Sequence, residues 1–496
     1  MWPLVNRWSI FGSSRPMQHS PPHDLRQSVT LPASCFPRSE TPVSVPSTRP
    51  HSRLGRRTRA FAVAAAAALT AAACTTGTTP TKADTGAGDT APVTITFWHG
   101  FSSDHEVAAV DAVLAKFHAK FPYITVKSVK AQTDDKINQA IRGGTAPDVA
   151  ASFNAANVGG WCSSGAFEDL TANIRADHID MNQIPKAVQS YTSFGGKRCT
   201  MPWLADTFGL YYNKKLLAKA GLTAPPKTMS ELASYAKKLT TFNPDGSIRT
   251  AGFMPYLGAY QMLSEHLVPS WGGRWLKSDG TSNTAADPAF AAALTWQKSL
   301  VDWFGADKLK KFKAGMPDEF SAQNAFETGK VAMMIDGEWR TAFIKNDKAD
   351  IDYATAPVPV ADNRPDLYGS GYVGGNVMGI PRNAPHPGAA WKLLKFLTTD
   401  TDAVSSLAAA IGNVPTTLPA LEAGAPAFAK EPNFATFLSV FKNPHTSTTP
   451  PAPNGNAYMT SFGLFVDKWQ NGKVPDLKAG LATLDKQNDD ALKLAQ

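Results

Sequence analysis

The chain has 496 residues, 43% of them hydrophobic and 18% charged, with a formal net charge of +8. That charge is unevenly placed: residues 1–73 hold nine Arg, no Lys and two acids, which leaves only +1 for residues 74–496. The basic balance belongs to the leader and therefore gives no reason to expect nucleic acid as a partner.

Residues 1–50 are rich in Pro, Ser and Arg without periodicity, and a start assigned too far upstream is the expectation. The stretch "RLGRRTRAFAVAAAAALTAAAC" (53–74) then has Arg53, Arg56, Arg57 and Arg59 ahead of an uncharged run from Ala60 to Ala73. As a helix that run would rise only about 21 Å, short of the roughly 30 Å hydrocarbon core, so a permanent span is not expected. It resembles a bacterial lipoprotein export signal, with Cys74 as the lipidated residue. Ala71 stands where a Leu is usual, and ordinary cleavage without lipid is the alternative. Residues 74–92, "CTTGTTPTKADTGAGDTAP", have nothing to bury and read as a flexible tether.

The body that follows is too long for one core and predicts two lobes. "VTITFW" (93–98) reads as a strand. Ser103 and Glu106 have capping-box spacing before a helix carrying Val107, Val110, Leu114 and Phe117 at helical intervals. "YITVKSV" is a second strand, an amphipathic segment runs to Arg142, and "DVAAS" is a third strand. This β-α-β-α-β order predicts a parallel sheet covered by helices. Later come the strand "KVAMMID", the helix "GAAWKLLKFLTT" and a C-terminal helix from about Asp476. Cys162 and Cys199 are the body's two cysteines, and in an exported protein they suggest a disulfide. Closing that loop would stabilise by roughly 4 kcal/mol in the chain-entropy model. A metal site is the alternative, without CxxC or Cys/His spacing behind it.

The motifs of enzymes are missing: there is no GxSxG, HExxH, P-loop or GxGxxG, and "YGSGYVGGN" (368–376) lacks the Lys-Ser/Thr that would hold phosphate. Asp336 and Glu338 form a D-x-E pair that imitates a glycosidase couple, although "DG" is also ordinary turn chemistry. Ten Trp follow the leader, several beside Gly, Pro or polar residues, as in Trp98-His99-Gly100, Pro202-Trp203 and Glu338-Trp339-Arg340. Such aromatics suit stacking on the C–H face of a sugar.

At "RCTMPWLADTFGLYYNKKLLAKAGLTAPPKTMSELASYAKKLT" (198–240) the chain closely resembles the first interlobe crossing of the bacterial extracellular solute-binding proteins of family one, the receptors of carbohydrate-importing ABC transporters. "ITFWHGF", "PDVAASFNAANVGGWCSSGAFEDL", "FETGKVAMMIDGEWRTAF", "GGNVMGIPRNAPHPGAAWKLLKFLTT" and "GNVPTT" resemble later landmarks in family order, so the likeness spans about residues 93–490. It implies a type II periplasmic-binding-protein-like α/β fold, with lobe one at 93–203 and 371–412, lobe two at 204–370 and 413–496, and a three-segment hinge. It implies a monomer that is not an enzyme, uses no cofactor or metal, holds a carbohydrate between its lobes and delivers it to permease subunits, while a lipid anchor keeps it at the outer face of the cytoplasmic membrane. Carried over residue by residue, Trp339 matches a ligand-stacking Trp and Asp206 an acid that accepts sugar hydroxyls. Trp203 would stack or plug the hinge, Asn154 stands where relatives have Asp, and Gly375 and Asn376 would offer backbone and amide groups. Trp98, His99 and Ser103 follow the first strand toward the cleft, with Tyr260 and Tyr458 as further candidates. A glycerol-3-phosphate or glycerophosphodiester receptor of the same fold is the alternative, for which Arg274, Arg340 and Arg364 are the candidate cations. From other classes, the alternatives are a secreted glycosidase and a cell-wall scaffold.

Overall fold

A computed structural model describes residues 90–495; the leader, Cys74 and nearly all of the tether lie outside them. β1 (Val93–Trp98), β2 (Ile124–Val129) and β3 (Val149–Ser152) run parallel with β1 in the middle, joined through α1 (Asp104–Lys120) and α2 (Asp134–Arg142). The capping box forms as its spacing requires, with Glu106 accepting from the Ser103 backbone N–H at 3.3 Å. Val110, Leu114 and Phe117 of α1 are buried against the sheet.

The parallel run ends at β3. Beyond it β9 (Val373–Gly379) lies antiparallel, then β4 (Met201–Asn213), followed by β7 (Val331–Gly337), β6 (Ile248–Phe253) and β5 (Thr241–Phe242), with β8 (Tyr353–Ala356) and β10 (Val414–Pro415) also on β4. β4 is the link. Its first half, Met201–Thr207, pairs with β9, and its second half, Phe208–Asn213, with β7 and β8. The β4 register slips between Pro202 and Leu204, where Pro202 brings no N–H to the ladder.

Buried side chains gather into two lobes accordingly. The first core holds Phe97, Phe117, Trp203, Met378 and Leu394, and the second Phe208, Leu232, Phe290, Tyr458 and Phe462, flanked by a smaller group around Tyr211, Phe326 and Phe437. The chain passes from the first core to the second between Ala205 and Phe208, and returns between Tyr372 and Val373. From Val414 to Phe434 the buried residues stay with the first core, and in the helix Ala435–Lys442 Phe437 joins the smaller group while Leu438 and Phe441 still pack on the first core.

Cys162 and Cys199 form a disulfide with Cα atoms 5.5 Å apart, joining α3 (Val158–Ser164) to the approach to β4. The thiols are therefore not free to ligate a metal. On α3 the two lobes also touch backbone to backbone: a Cβ on Gly159 would lie 2.0 Å from the carbonyl oxygen of Ala452, a second-core residue. Only glycine permits that approach.

Candidate functional site

A cavity of about 270 Å³ opens where the two cores meet. β4 supplies Asp206 and Phe208, the turn after β3 supplies Phe153 and Asn154, β9 supplies Gly375 and Asn376, and the end of β7 leads to Trp339. Phe208 and Trp339 meet edge to face with ring centroids 5.5 Å apart. A Cβ on Gly337 would sit 2.2 Å from the Trp339 ring, so the indole lies folded over the strand end. On its other side Phe208 stacks on His266 at 3.6 Å, and Tyr372 tilts against both. The result is a wall of flat apolar faces with polar rims.

Polar atoms at this wall lack protein partners. Trp339 Nε1 and Asn376 Oδ1 are buried and make no hydrogen bond. Burial lowers the His266 pKa to about 3, so the ring is neutral, and Nδ1 lies 2.8 Å from the Gln261 carbonyl. A carbonyl only accepts; Nδ1 therefore carries the proton and Nε2 is left as an acceptor. Gly375 has φ +154, and a side chain there would strike the Leu204 carbonyl at 2.4 Å.

Behind the wall, Asn413 Nδ2 donates to Asp206 Oδ1 at 2.6 Å and to Glu338 Oε1 at 2.9 Å, while Glu338 Oε2 accepts from the Thr207 N–H at 2.7 Å. Burial raises the Asp206 pKa to about 7, and burial followed by the Asp206 charge holds Glu338 well above the carboxylate range. One asparagine thus ties the crossing strand to the β7 end and to the segment before β10. Asp336 belongs to a different cluster, sealed at 2.8 Å against Arg340 Nε. It does not line the cavity, so the Asp336 and Glu338 couple is not presented to a ligand.

Among the described residues, no Lys or Arg lines the cavity. Arg340 is spent on Asp336 and Glu327, Arg364 pairs with Asp366 at 2.8 Å, and Arg274 is exposed. The three candidate cations for a phosphate ligand are thus engaged or placed elsewhere.

A family model of bacterial extracellular solute-binding proteins matches residues 102–404. The chain belongs to this family. Among curated relatives, this solute-binding protein is 26% identical over 360 residues to a maltooligosaccharide ABC transporter solute-binding lipoprotein of Streptococcus pneumoniae, covering 70% of this chain and 77% of that one. It is 22% identical over 327 residues to the maltotriose-binding protein of Pyrococcus abyssi, covering 65% and 66%. A putative binding protein of Brucella abortus is 29% identical over 202 residues, 41% of this chain and 47% of that one. The chain thus spans about half to two thirds of the length of these last two relatives. Among solved structures, CpMnBP1 with mannotriose bound superposes with a TM-score of 0.72 at 24% identity, over 80% of this chain and all of that one. The maltose/maltodextrin-binding domain of Bdellovibrio bacteriovorus bound to maltotriose gives 0.64 at 23%, over 81% and 100%. These likenesses show the two-lobe fold expected from the sequence.

Of the residues the sequence singled out, Asn154, Asp206, Trp339, Gly375 and Asn376 line the cavity of this solute-binding protein. The other six do not. Trp203 is fully buried in the first core, edge-on to Phe97 and Phe101. His99 is fully buried, its Nε2 2.9 Å from Ser128 Oγ and its pKa lowered by burial to about 4. Ser103 caps α1, and Trp98 packs against the first core. The hydroxyls of Tyr260 and Tyr458 donate to the carbonyls of Pro317 and Pro450. Phe101, Phe208, Glu265, His266, Tyr372 and Asn413 were missed. Tyr372 stands inside "YGSGYVGGN", where only Gly375 and Asn376 are expected at the ligand; for Glu265 and His266 the local sequence, a short polar helix, carries no signal.

Proposed function

We propose that this protein is the membrane-tethered extracellular receptor of an ABC importer, taking a sugar or oligosaccharide into the cavity and passing it to permease subunits. The observation that carries the reading is the wall of Trp339, Phe208 and Tyr372 beside the unpartnered Trp339 Nε1 and Asn376 Oδ1. Flat apolar faces suit the C–H side of a pyranose, and unpartnered polar atoms suit its hydroxyls. Asn154, Asp206, Trp339, Gly375 and Asn376 are the proposed contacts. The lobe limits we propose, 93–205 with 373–434 and 208–372 with 443–495, rest on which core the side chains join, the helix Ala435–Lys442 packing on both sides. A ligand touching both lobes favours the closed arrangement by its differential contacts. The relatives named for maltotriose and maltooligosaccharide support the substrate class. The absence of cations from the cavity lining speaks against the glycerol-3-phosphate alternative. Lipid on Cys74 is the proposed anchor.

Thermal-shift screening against mono-, oligosaccharides and glycerol-3-phosphate tests this. A sugar at 100 times its Kd adds about 2.7 kcal/mol of stability. Stabilisation by glycerol-3-phosphate alone, or release of reducing sugar with turnover, would replace the reading.

A further inference from the structure

Three carboxylates, Glu106, Asp206 and Glu265, line the cavity, with no Lys or Arg among its lining residues. Two of the three are engaged. Glu106 caps α1 through Ser103, and Asp206 accepts from Asn413. Glu265 is not: it forms no ion pair and no hydrogen bond beyond one to its own backbone N–H. It lines the cavity next in sequence to His266, and its charge is felt by Tyr372 and Tyr458. Glu265 is partly buried, and a carboxylate even partly withdrawn from water without a partner is costly, so proteins ordinarily pair it.

An independent observation concerns Asn376, which is only 3% exposed and lines the same cavity with its Oδ1 unpartnered. Together with His266 Nε2, the open valences here are mostly acceptors, and Trp339 Nε1 is the unpartnered donor among them. Such a lining calls for a ligand rich in donors, and a protonated amine brings three N–H groups and the missing positive charge.

Resting on the carbohydrate reading above, we propose that the ligand is an amino sugar whose ammonium pairs with Glu265. A neutral sugar would fill the same space, stack on the same rings and donate hydroxyls to Glu265, but would bring no charge to balance it. Glu265 is then the residue that sets specificity, while Trp339 and Phe208 set the stacking.

The test is calorimetric titration at pH 7 and low salt with matched 2-amino and 2-hydroxy sugars of the gluco, galacto and manno series, as monosaccharides and β-1,4-linked dimers. For at least one pair the amine should bind roughly 10- to 100-fold more tightly, the range of a charge-assisted hydrogen bond. Glu265→Gln should bring that preference to within about threefold. N-acetylation of the same amine, measured on the unaltered protein, should also remove the preference, which keeps the test intact should Glu265→Gln fold poorly. Neutral sugars binding as tightly as every amine, or a preference that survives Glu265→Gln, would overturn the amino-sugar proposal and leave the receptor reading standing. Binding of none of these sugars, nor of longer oligosaccharides, would remove both.

Discussion

Two acidic clusters come within two residues of each other along the chain, at Asp336 and Glu338, and do opposite things. Around Arg340, Asp336 and Glu327 are held at 2.8 and 3.0 Å, and the guanidinium also donates to the Glu319 carbonyl at 2.8 Å while packing over Phe343. Around the cavity, Asp206, Glu265 and Glu338 have no cation partner among the described residues, only Asn413 and backbone N–H groups. The same residue types are structural where their charge is compensated and available where it is not. The presence of carboxylates therefore identifies nothing until their partners are known.

The comparison breaks most visibly at Arg340. Arg340→Met leaves Asp336 and Glu327 buried without a counter-charge, and denaturation should show a loss of about 3–5 kcal/mol of folding stability. Sugar affinity of the surviving folded fraction should stay near wild type. Trp339→Ala tests the other side: loss of an aromatic anchor costs about 2–4 kcal/mol of binding, a roughly 30-fold to several-hundred-fold weaker Kd by calorimetry. Its melting midpoint should fall far less than that of Arg340→Met. A collapsed midpoint with unchanged affinity would make Trp339 a core residue. Gly337→Ala sharpens the distinction, because the added methyl meets the Trp339 ring rather than the backbone. Overpacking should cost about 1–3 kcal/mol, read in affinity before stability.

The smallest effect is a slope. Asp206 has its pKa raised by burial from 3.8 to about 7. Between those values the folded protein binds more protons than the unfolded chain, so this group makes stability fall as pH rises, with the penalty complete above about 7. Asp206→Asn should flatten stability against pH across that window. A slope identical to wild type would mean that Asp206 titrates normally.

What was legible in the sequence was local. The β1 to β3 alternation, the capping box and the helix at Pro387–Thr399 follow from periodicity within short windows, and the cysteine pair follows from counting. Trp203 and Trp339 show what was not. Both sit beside polar, Gly or Pro neighbours, yet Trp203 is enclosed by Phe97 and Phe101 from a strand and loop about a hundred residues earlier, whereas Trp339 faces open space. No local pattern separates them, because the packing partners are remote. Glu265 escaped for the converse reason: its significance is a missing partner, which only the assembled cavity displays.

The unbroken β4 has a consequence for the order of assembly. β4 pairs with β9, which is made some 160 residues later, and the first core takes side chains as far along as Phe434. Long-range pairings of this kind close slowly, since chain entropy is lost before contacts compensate. A nascent chain cannot complete its first lobe until nearly all of it exists. On the proposed export route the chain thereby stays threadable, and its late-arriving strand sets when that window shuts.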